Sequence, residues 1–327
     1  MTQAGAPGGA IGLAEFAACA NGTRVICLGL SALDQIWRVD GLFEGGGEKI
    51  RSFDYGTAGG GMAANAAVAV ARLGGAVSFW GRGGDDAAGH DMRAALSNEG
   101  IDVGHFRLFG GGRSSVSGVI VDTSGERQIV NFRGRFPAEA DWLALDEVVG
   151  VSAVLADPRW PEGAIALFGK ARSLGIPTIL DADVAEASVF EQLLPLTDHA
   201  VFSEPALAGF AGEASDGALA TIARFHCRVA AVTRGERGVS WYEGGALRTR
   251  AAYPVEAVDT TGAGDVFHGA YALAIGGGLG GGLGRGLGVA DAMSFAAATA
   301  ALKCTRPGGR AGIPSLEDCL AFMRNQQ

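Results

Sequence analysis

Val151-Ser152-Ala153-Val154-Leu155-Ala156, Pro161–Leu174 and Pro177-Thr178-Ile179-Leu180 succeed one another with only short breaks. The outer two are short apolar runs, as expected of strands buried on both faces. The middle stretch opens on proline, which is pre-set for the first turn of a helix. Strand, helix, strand in this order is the unit of a mostly parallel sheet covered by helices. The rhythm extends outward. On the carboxyl side it predicts strands at His199–Ser203 and Val229–Thr233, a helix near Pro205–Ala211, a hairpin of Ser240–Tyr242 with Ala246–Arg250, and helices at Asp265–Ile275 and Asp291–Leu302. On the amino side it predicts strands at Val25–Leu30 and Ala76–Gly81, and helices at Ala63–Leu73 and Asp86–Glu99, closed by Gly74-Gly75 and by Gly100.

Two regions break this pattern. Stretches around Ile36–Val39 and Lys49–Tyr55, and a hairpin of Ser114–Asp122 with Arg127–Phe132, look like strands with one exposed face. They predict a small second sheet, from about 35–57 and 112–132, attached to one α/β domain over 24–327. Residues 1–23 are Ala- and Gly-rich and are read as a flexible extension; they lack the early basic region of a signal peptide. The glycine run from Gly276 to Gly288 reads as a surface loop.

Composition removes several functions. Hydrophobic residues make up 48% of the chain, enough for a sizeable core. A net charge of -9 argues against a nucleic-acid or anionic-membrane surface, which needs a basic excess. No apolar run reaches membrane-spanning length. The 5 cysteines are odd in number and contain no C-x-x-C pair, which fits reduced thiols in a cytoplasmic protein. A phosphate-cradling P-loop is excluded: none of the lysines at 49, 170 and 303 lies in G-x-x-x-x-G-K-[ST], and Gly29 is not followed by a G-x-G-x-x-G dinucleotide fingerprint.

The strongest chemical signal is Asp259-Thr260-Thr261-Gly262-Ala263-Gly264-Asp265, running into a helix of small residues. Glycines at a helix start let backbone N–H groups point at an anion, and the helix dipole favours negative charge there. Asp265, in the first turn, is placed to accept a proton from an attacking hydroxyl. As an isolated G-x-G-D this would read as a capped helix; the whole run makes that less favoured. The second signal is Gly59-Gly60-Gly61-Met62-Ala63-Ala64-Asn65, a glycine patch where a polar ligand can come close and where Asn65 offers both a donor and an acceptor. A tightly packed helix start, capped by Asn65, reads equally well from these residues alone.

In order and separation the two motifs resemble the signature regions of the ribokinase/PfkB carbohydrate kinases, and the resemblance runs from Arg24 to the end. It implies a three-layer αβα sandwich whose small β-sheet is a lid over the sugar and a homodimer interface. It implies ATP and Mg2+ as cofactors, with Asp265 as base and Gly262, Ala263 and Gly264 as the anion hole. Asp34, Gly60, Gly61 and Asn65 resemble the sugar floor. Thr233, Gly235 and Gly238 resemble a T-x-G-x-x-G segment whose Thr233 and Gly235 approach the nucleotide phosphates, although such a segment is also a common strand-to-hairpin turn. Ala297, Ala301 and Gly308 would border the adenine. Asp259 and Thr261 resemble a monovalent-cation (K+) site. Where the family often has N-x-x-E, this chain has Ser203-Glu204-Pro205-Ala206, so Glu204 is the remaining candidate for the metal shell.

Within the family, Ala156–Trp160, Asp181-Ala182-Asp183, Phe202–Pro205 and the run Ala301–Pro314 resemble the sulfofructose kinase branch, whose members phosphorylate the C1 hydroxyl of 6-deoxy-6-sulfofructose. A sulfonate stays anionic near neutral pH and calls for a guanidinium with neutral donors. Arg159, just past a core strand, and Asn131, in the lid hairpin, are the candidates, with Arg133 and Arg135 nearby. A salt bridge to Asp157 or to a helix carboxylate explains Arg159 as well. Fructose, fructose phosphates, ribose and 2-keto-3-deoxygluconate remain alternatives, as does a sugar sensor without activity, for which loss of the Asp265 carboxylate would be the mark.

Overall fold

A computed structural model describes residues 20–47, 49–280 and 288–326. The chain enters at β1 (Arg24–Gly29) and leaves the main sheet for β2 (Ala32–Val39) and β3 (Ser52–Gly60). It returns through α1 (Met62–Arg72), β4 (Ala76–Gly84), α2 (Ala87–Asn98) and β5 (Phe106–Phe109), then forms β6 (Val116–Val121) and β7 (Arg127–Phe132). Regular alternation follows: β8 (Ala153–Ala156), α3 (Pro161–Ser173), β9 (Thr178–Ala182), α4 (Ala187–Leu193), β10 (His199–Ser203), α5 (Glu204–Ala211), α6 (Asp216–Ala223) and β11 (Val229–Thr233). The hairpin β12 (Val239–Glu243) and β13 (Ala246–Arg250) precedes α7 (Ala263–Gly280), α8 (Val289–Cys304) and α9 (Leu316–Arg324).

Among the described residues the main sheet has nine strands in the order β13-β12-β11-β10-β9-β8-β1-β4-β5. It is parallel except for the antiparallel β12–β13 edge. Strand order reverses at β1, which pairs with β8 on one side and β4 on the other. Ligands gather outside the carboxyl ends of strands at such a switch point. Alternation along β1 sends Val25 and Cys27 into the core under α1, α7 and α8, and Ile26 and Leu28 into the core under α3 to α6. Two buried cores on one sheet make the three-layer sandwich.

The remaining strands form the lid, a four-stranded sheet in the order β3-β2-β6-β7. Its strands mix polar with apolar residues and are exposed along much of their length, β7 throughout, which sets them apart from the apolar core runs. Four elements escaped the sequence: β5 and the helices α4, α6 and α9. Part of the expected extension is packed instead, since Ala20 and Thr23 are both 2% exposed. Residues 1–19 of the expected extension lie outside the described residues. The glycine run read as a loop is instead helical through Gly280, and a Cβ on Gly276 would lie 3.1 Å from both Ser152 and Thr23. Residues 281–287 of that run lie outside the described residues.

One helix crossing positions the site. A Cβ on Gly269 of α7 would lie 2.4 Å from the Ala66 carbonyl of α1, so the two backbones touch. Asn65 and Asp265, beside and one turn from this crossing, are thereby held face to face. Gly269→Ala gains up to about 1 kcal/mol of helix propensity. The backbone clash outweighs it, so we expect a net loss of about 1–3 kcal/mol in chemical denaturation, with reduced turnover. Unchanged stability would show that the helices can part without cost.

Candidate active site

α7 begins at Ala263, directly after Gly262, whose φ of 74° suits glycine. The first i to i−4 bond of the helix runs from the Val266 amide to the Gly262 carbonyl (3.0 Å), so the amides just before it have no intrahelical acceptor. Ala263 donates instead to the Thr260 carbonyl (3.2 Å), which leaves Gly264 and Asp265 to present N–H groups at the helix end. Of the amides expected to form an anion hole, that of Ala263 is therefore engaged within the turn and that of Gly264 is not.

Asp265 sits beneath this turn. Asn65 Nδ2 donates to its Oδ2 at 2.7 Å, across 200 residues of sequence. Burial pushes the Asp265 carboxyl up and nearby Asp181 adds to this; the Asn65 hydrogen bond and His268 pull back, and the result is about 7. A carboxylate poised there suits a base working near neutral pH. Asn65 is itself held by Arg310, whose Nε donates to Asn65 Oδ1 at 3.2 Å and whose Nη2 donates to the Gly60 carbonyl at 3.2 Å. With its oxygen occupied, the amide must turn its nitrogen toward Asp265.

The sugar-floor residues converge on the same place. Asp34 lies on β2, and its Oδ2 would be 2.6 Å from a Cβ on Gly60, so glycine is required there. Gly61 has φ 97° and backs directly onto the Leu30 carbonyl. Asp157, fully buried after β8, ties these pieces together: Oδ2 accepts from Leu30 N (2.7 Å) and Ala63 N (3.1 Å), and Oδ1 accepts from Arg159 N (2.9 Å). Behind Asp265, His268 Nδ1 faces the Gly264 carbonyl at 2.7 Å and Asp181 Oδ1 at 3.4 Å. Burial pushes Asp181 well up, and the neighbouring carboxylates Asp157 and Asp183 push it further.

A cavity of about 680 Å³ opens beside this floor, between the lid and the carboxyl ends of the core strands. Asn131, Arg133, Arg135 and Arg159 all line it, and it reaches Gly29 and Leu30. The two residues expected to grip an anion are partly committed within the protein. Arg159 donates to the Val184 carbonyl (2.8 Å) and pairs with Asp183 (3.4 Å), a partner the sequence did not suggest. Asn131 Nδ2 bonds Ser117 Oγ at 3.1 Å. Among the described residues no hydrogen bond or ion pair engages the side chains of Arg133 and Arg135, which are exposed.

Elsewhere the expectations divide. Glu204 is not available as a metal ligand: it pairs with Arg237 and lies 3.8 Å from Arg234 Nε. Ser203 and Ala206, the altered positions beside it, form a helix cap, Ser203 Oγ accepting from the Ala206 amide at 3.4 Å. Among the described residues no group of three His, Cys, Asp or Glu could hold a metal ion. Thr233 ends β11, and Gly235 faces open space, with no atom within 4 Å of its Cβ position. Gly238 is glycine for packing, since a Cβ there would lie 2.0 Å from the Arg250 carbonyl. Ala297 and Ala301 are half-buried on α8.

Asp259 and Thr261 are bracketed by two protein cations. From the lid, Arg127 reaches Thr261 Oγ1 and pairs with Asp259 Oδ1 at 3.2 Å. From α8, Lys303 Nζ donates to the Asp259 carbonyl at 2.7 Å. Asp259 also accepts from Thr261 N (2.9 Å) and Gly308 N (3.0 Å). Burial alone would push its carboxyl up; the Thr261 and Arg127 hydrogen bonds and the Lys303 charge overcome this and hold it at about 2. Sequence reasoning gave no role to Arg127, Lys303, Arg310, Asp181 or His268. Asp181, Lys303 and Arg310 lie in segments that carry the family likeness, but nothing in a single chain signals which distant residues they meet.

Comparison with known proteins agrees with this geometry. The profile of the pfkB family carbohydrate kinases matches residues 22–316. A fructokinase from Klebsiella pneumoniae is 32% identical over 284 residues, covering 79% of this chain and 90% of that protein. A ribokinase from Haemophilus influenzae is 27% identical over 289 residues, covering 85% and 92%. The fold matches a ribokinase from Arabidopsis thaliana solved with ribose and ATP, at a TM-score of 0.81 and 24% identity, covering 92% of this chain and 98% of that one. The chain therefore belongs to the pfkB family of carbohydrate kinases and is a sugar kinase of the ribokinase and fructokinase type.

Proposed function

We propose that this kinase phosphorylates an anionic ketose, with the C1 hydroxyl of 6-deoxy-6-sulfofructose as acceptor and Asp265 as base. The observation that carries the choice of sugar is the cavity beside the floor, where Arg82, Arg133, Arg135 and Arg159 face a single acidic residue, Glu186. Arg82 is structural, lying over the Trp160 ring at 4.5 Å and bonded to the Pro137 carbonyl at 2.8 Å. Arg133 and Arg135 remain for a charged substrate end, with Asn131 beside them; a fixed sulfonate suits such a fork of donors.

In the reaction Asp265 takes the hydroxyl proton as the oxygen attacks the γ-phosphorus in line. The bond to the β–γ bridging oxygen breaks and ADP leaves. Asp34 and Asn65 orient the sugar, and the Gly262–Gly264 turn faces the charge on the transferred group. Mg2+ would come with ATP and neutralise charge on its phosphates; with Glu204 occupied, the described residues form no cage for it. A homodimer through the lid is supported by the exposure of Phe53 (61%), Tyr55 (54%), Ile129 (62%) and Val130 (74%) on its strands.

The test is a coupled kinase assay with sulfofructose, fructose, fructose 6-phosphate, ribose and 2-keto-3-deoxygluconate. Sulfofructose is expected to lead fructose in kcat/KM by roughly 10²-fold or more, the scale on which a charge-assisted hydrogen bond discriminates between substrates. Replacing Arg133 and Arg135 together by Ala should raise KM for the anionic sugar and leave that for fructose nearly unchanged. A preference for neutral sugars, or equal loss for both, contradicts the assignment.

A further inference from the structure

Lys303 is one of the three lysines in the chain, and its side chain is 0% exposed. A lysine shielded from water needs a reason, because desolvating an ammonium is costly. Its surroundings supply one. Nζ donates to the Asp259 carbonyl at 2.7 Å and lies 4.0 Å from Asp259 Oδ1. The end of α8 is stitched to the same segment, since the amides of Val258 and Asp259 both donate to the Cys304 carbonyl, at 2.7 and 3.1 Å. The ammonium thus sits under the start of the turn that runs from Asp259 to the Gly262–Gly264 anion hole.

This is where a monovalent cation was expected, and the residues present do not fit one. Such an ion would need free oxygens from Asp259 and its neighbours. Here the Asp259 carbonyl is taken by Lys303, and its carboxylate by the amides of Thr261 and Gly308 and by Arg127. A third positive charge would face two cations at short range. We propose that the ammonium of Lys303 is a built-in replacement for the monovalent cation, fixing the phosphate-side turn so that catalysis does not depend on K+. Lys303 acts as a positioning residue: it touches the loop and not the reacting atoms. Its charge also adds to the positive potential at the helix end that faces the transferred phosphate. The inference rests on the reading of the Gly262–Gly264 turn as that phosphate-facing element.

Parent enzyme and Lys303→Met would be compared in KCl and in tetramethylammonium chloride at equal ionic strength, by turnover and by thermal melting. Parent turnover should agree within about twofold in the two salts, the behaviour of a filled site. Lys303→Met should lose about tenfold or more in tetramethylammonium, below the 10²–10³-fold cost of deleting a direct oxyanion donor. It should recover in K+, and its melting temperature should rise in K+ while that of the parent does not. Lys303→Arg, which keeps the charge, should retain more activity than the Met variant and show no K+ response. A parent enzyme activated many-fold by K+, or a Met variant indifferent to K+ in both readouts, would overturn the proposal. Melting needs no turnover, so K+-specific stabilisation of the Met variant without activity on any sugar would keep the cation inference and discard the phosphate-side reading.

Discussion

Asp265→Asn should bind sugar as the parent does and lose roughly 10²–10⁴-fold in turnover, the range for a deleted general base. The Asn65 amide at 2.7 Å can still donate to the new side-chain oxygen, so the floor keeps its shape. What disappears is the acceptor for the hydroxyl proton. The same substitution should change stability in the opposite sense. The Asp265 carboxyl stands at about 7 in the folded chain because burial and Asp181 disfavour its charge. An unfolded Asp titrates near 4. The folded protein therefore holds the extra proton, and the stability that this contributes is full below about pH 4 and lost as pH rises through about 7. Asparagine has no such loss. Melts at pH 8 should show the Asn variant to be the more stable protein, by an amount of order 2 kcal/mol, with the gap closing toward pH 5. An inactive variant that is also less stable at pH 8 would indicate damage to the fold and not removal of a base.

Asp157→Ala should destabilise the chain by about 3–5 kcal/mol and lower the melting temperature by about 6–10 °C. Its carboxyl is fully buried and accepts from three backbone amides, Leu30, Ala63 and Arg159. Each amide left unpaired in the interior costs about 1–3 kcal/mol, and water admitted to the hole recovers part of the sum. The three amides belong to the end of β1, the start of α1 and the loop after β8. Losing their common acceptor should therefore loosen the sugar floor, and KM for the sugar should rise along with the loss of stability. A change below about 1 kcal/mol would show that the amides find other partners.

The physical reason each feature was or was not legible in the sequence is specific. Core strands such as Val25–Leu30 and Val229–Thr233 are apolar because both faces are buried, so their runs stand out. The lid strands betray themselves by their mix of polar and apolar residues. β5, with four residues, and the short helices α4 and α6 carry too little periodicity to announce themselves. The extension of α7 through Gly280 defeats the usual reading of glycine because packing against Ser152 and Thr23, not backbone preference, selects Gly276. Asp265 and Asn65, singled out by their motifs, meet in the folded chain, and Asp34, proposed only from the family likeness, lies against Gly60. Glu204 misled because Arg234 and Arg237, in the turn after β11, claim its carboxylate. Arg127, Lys303 and Arg310 act across 44 to 250 residues of sequence, and only the folded chain brings them to the loop and the floor.

The most direct measurement is the pH dependence of kcat/KM for the best sugar, in the parent enzyme and in Asp265→Asn. With Asp265 as base, the parent rate should rise through a limb near pH 7, where the carboxyl ionises, while the Asn variant should be slower by orders of magnitude and lack that limb. An Asn variant that keeps both the limb and near-parent turnover would contradict the account.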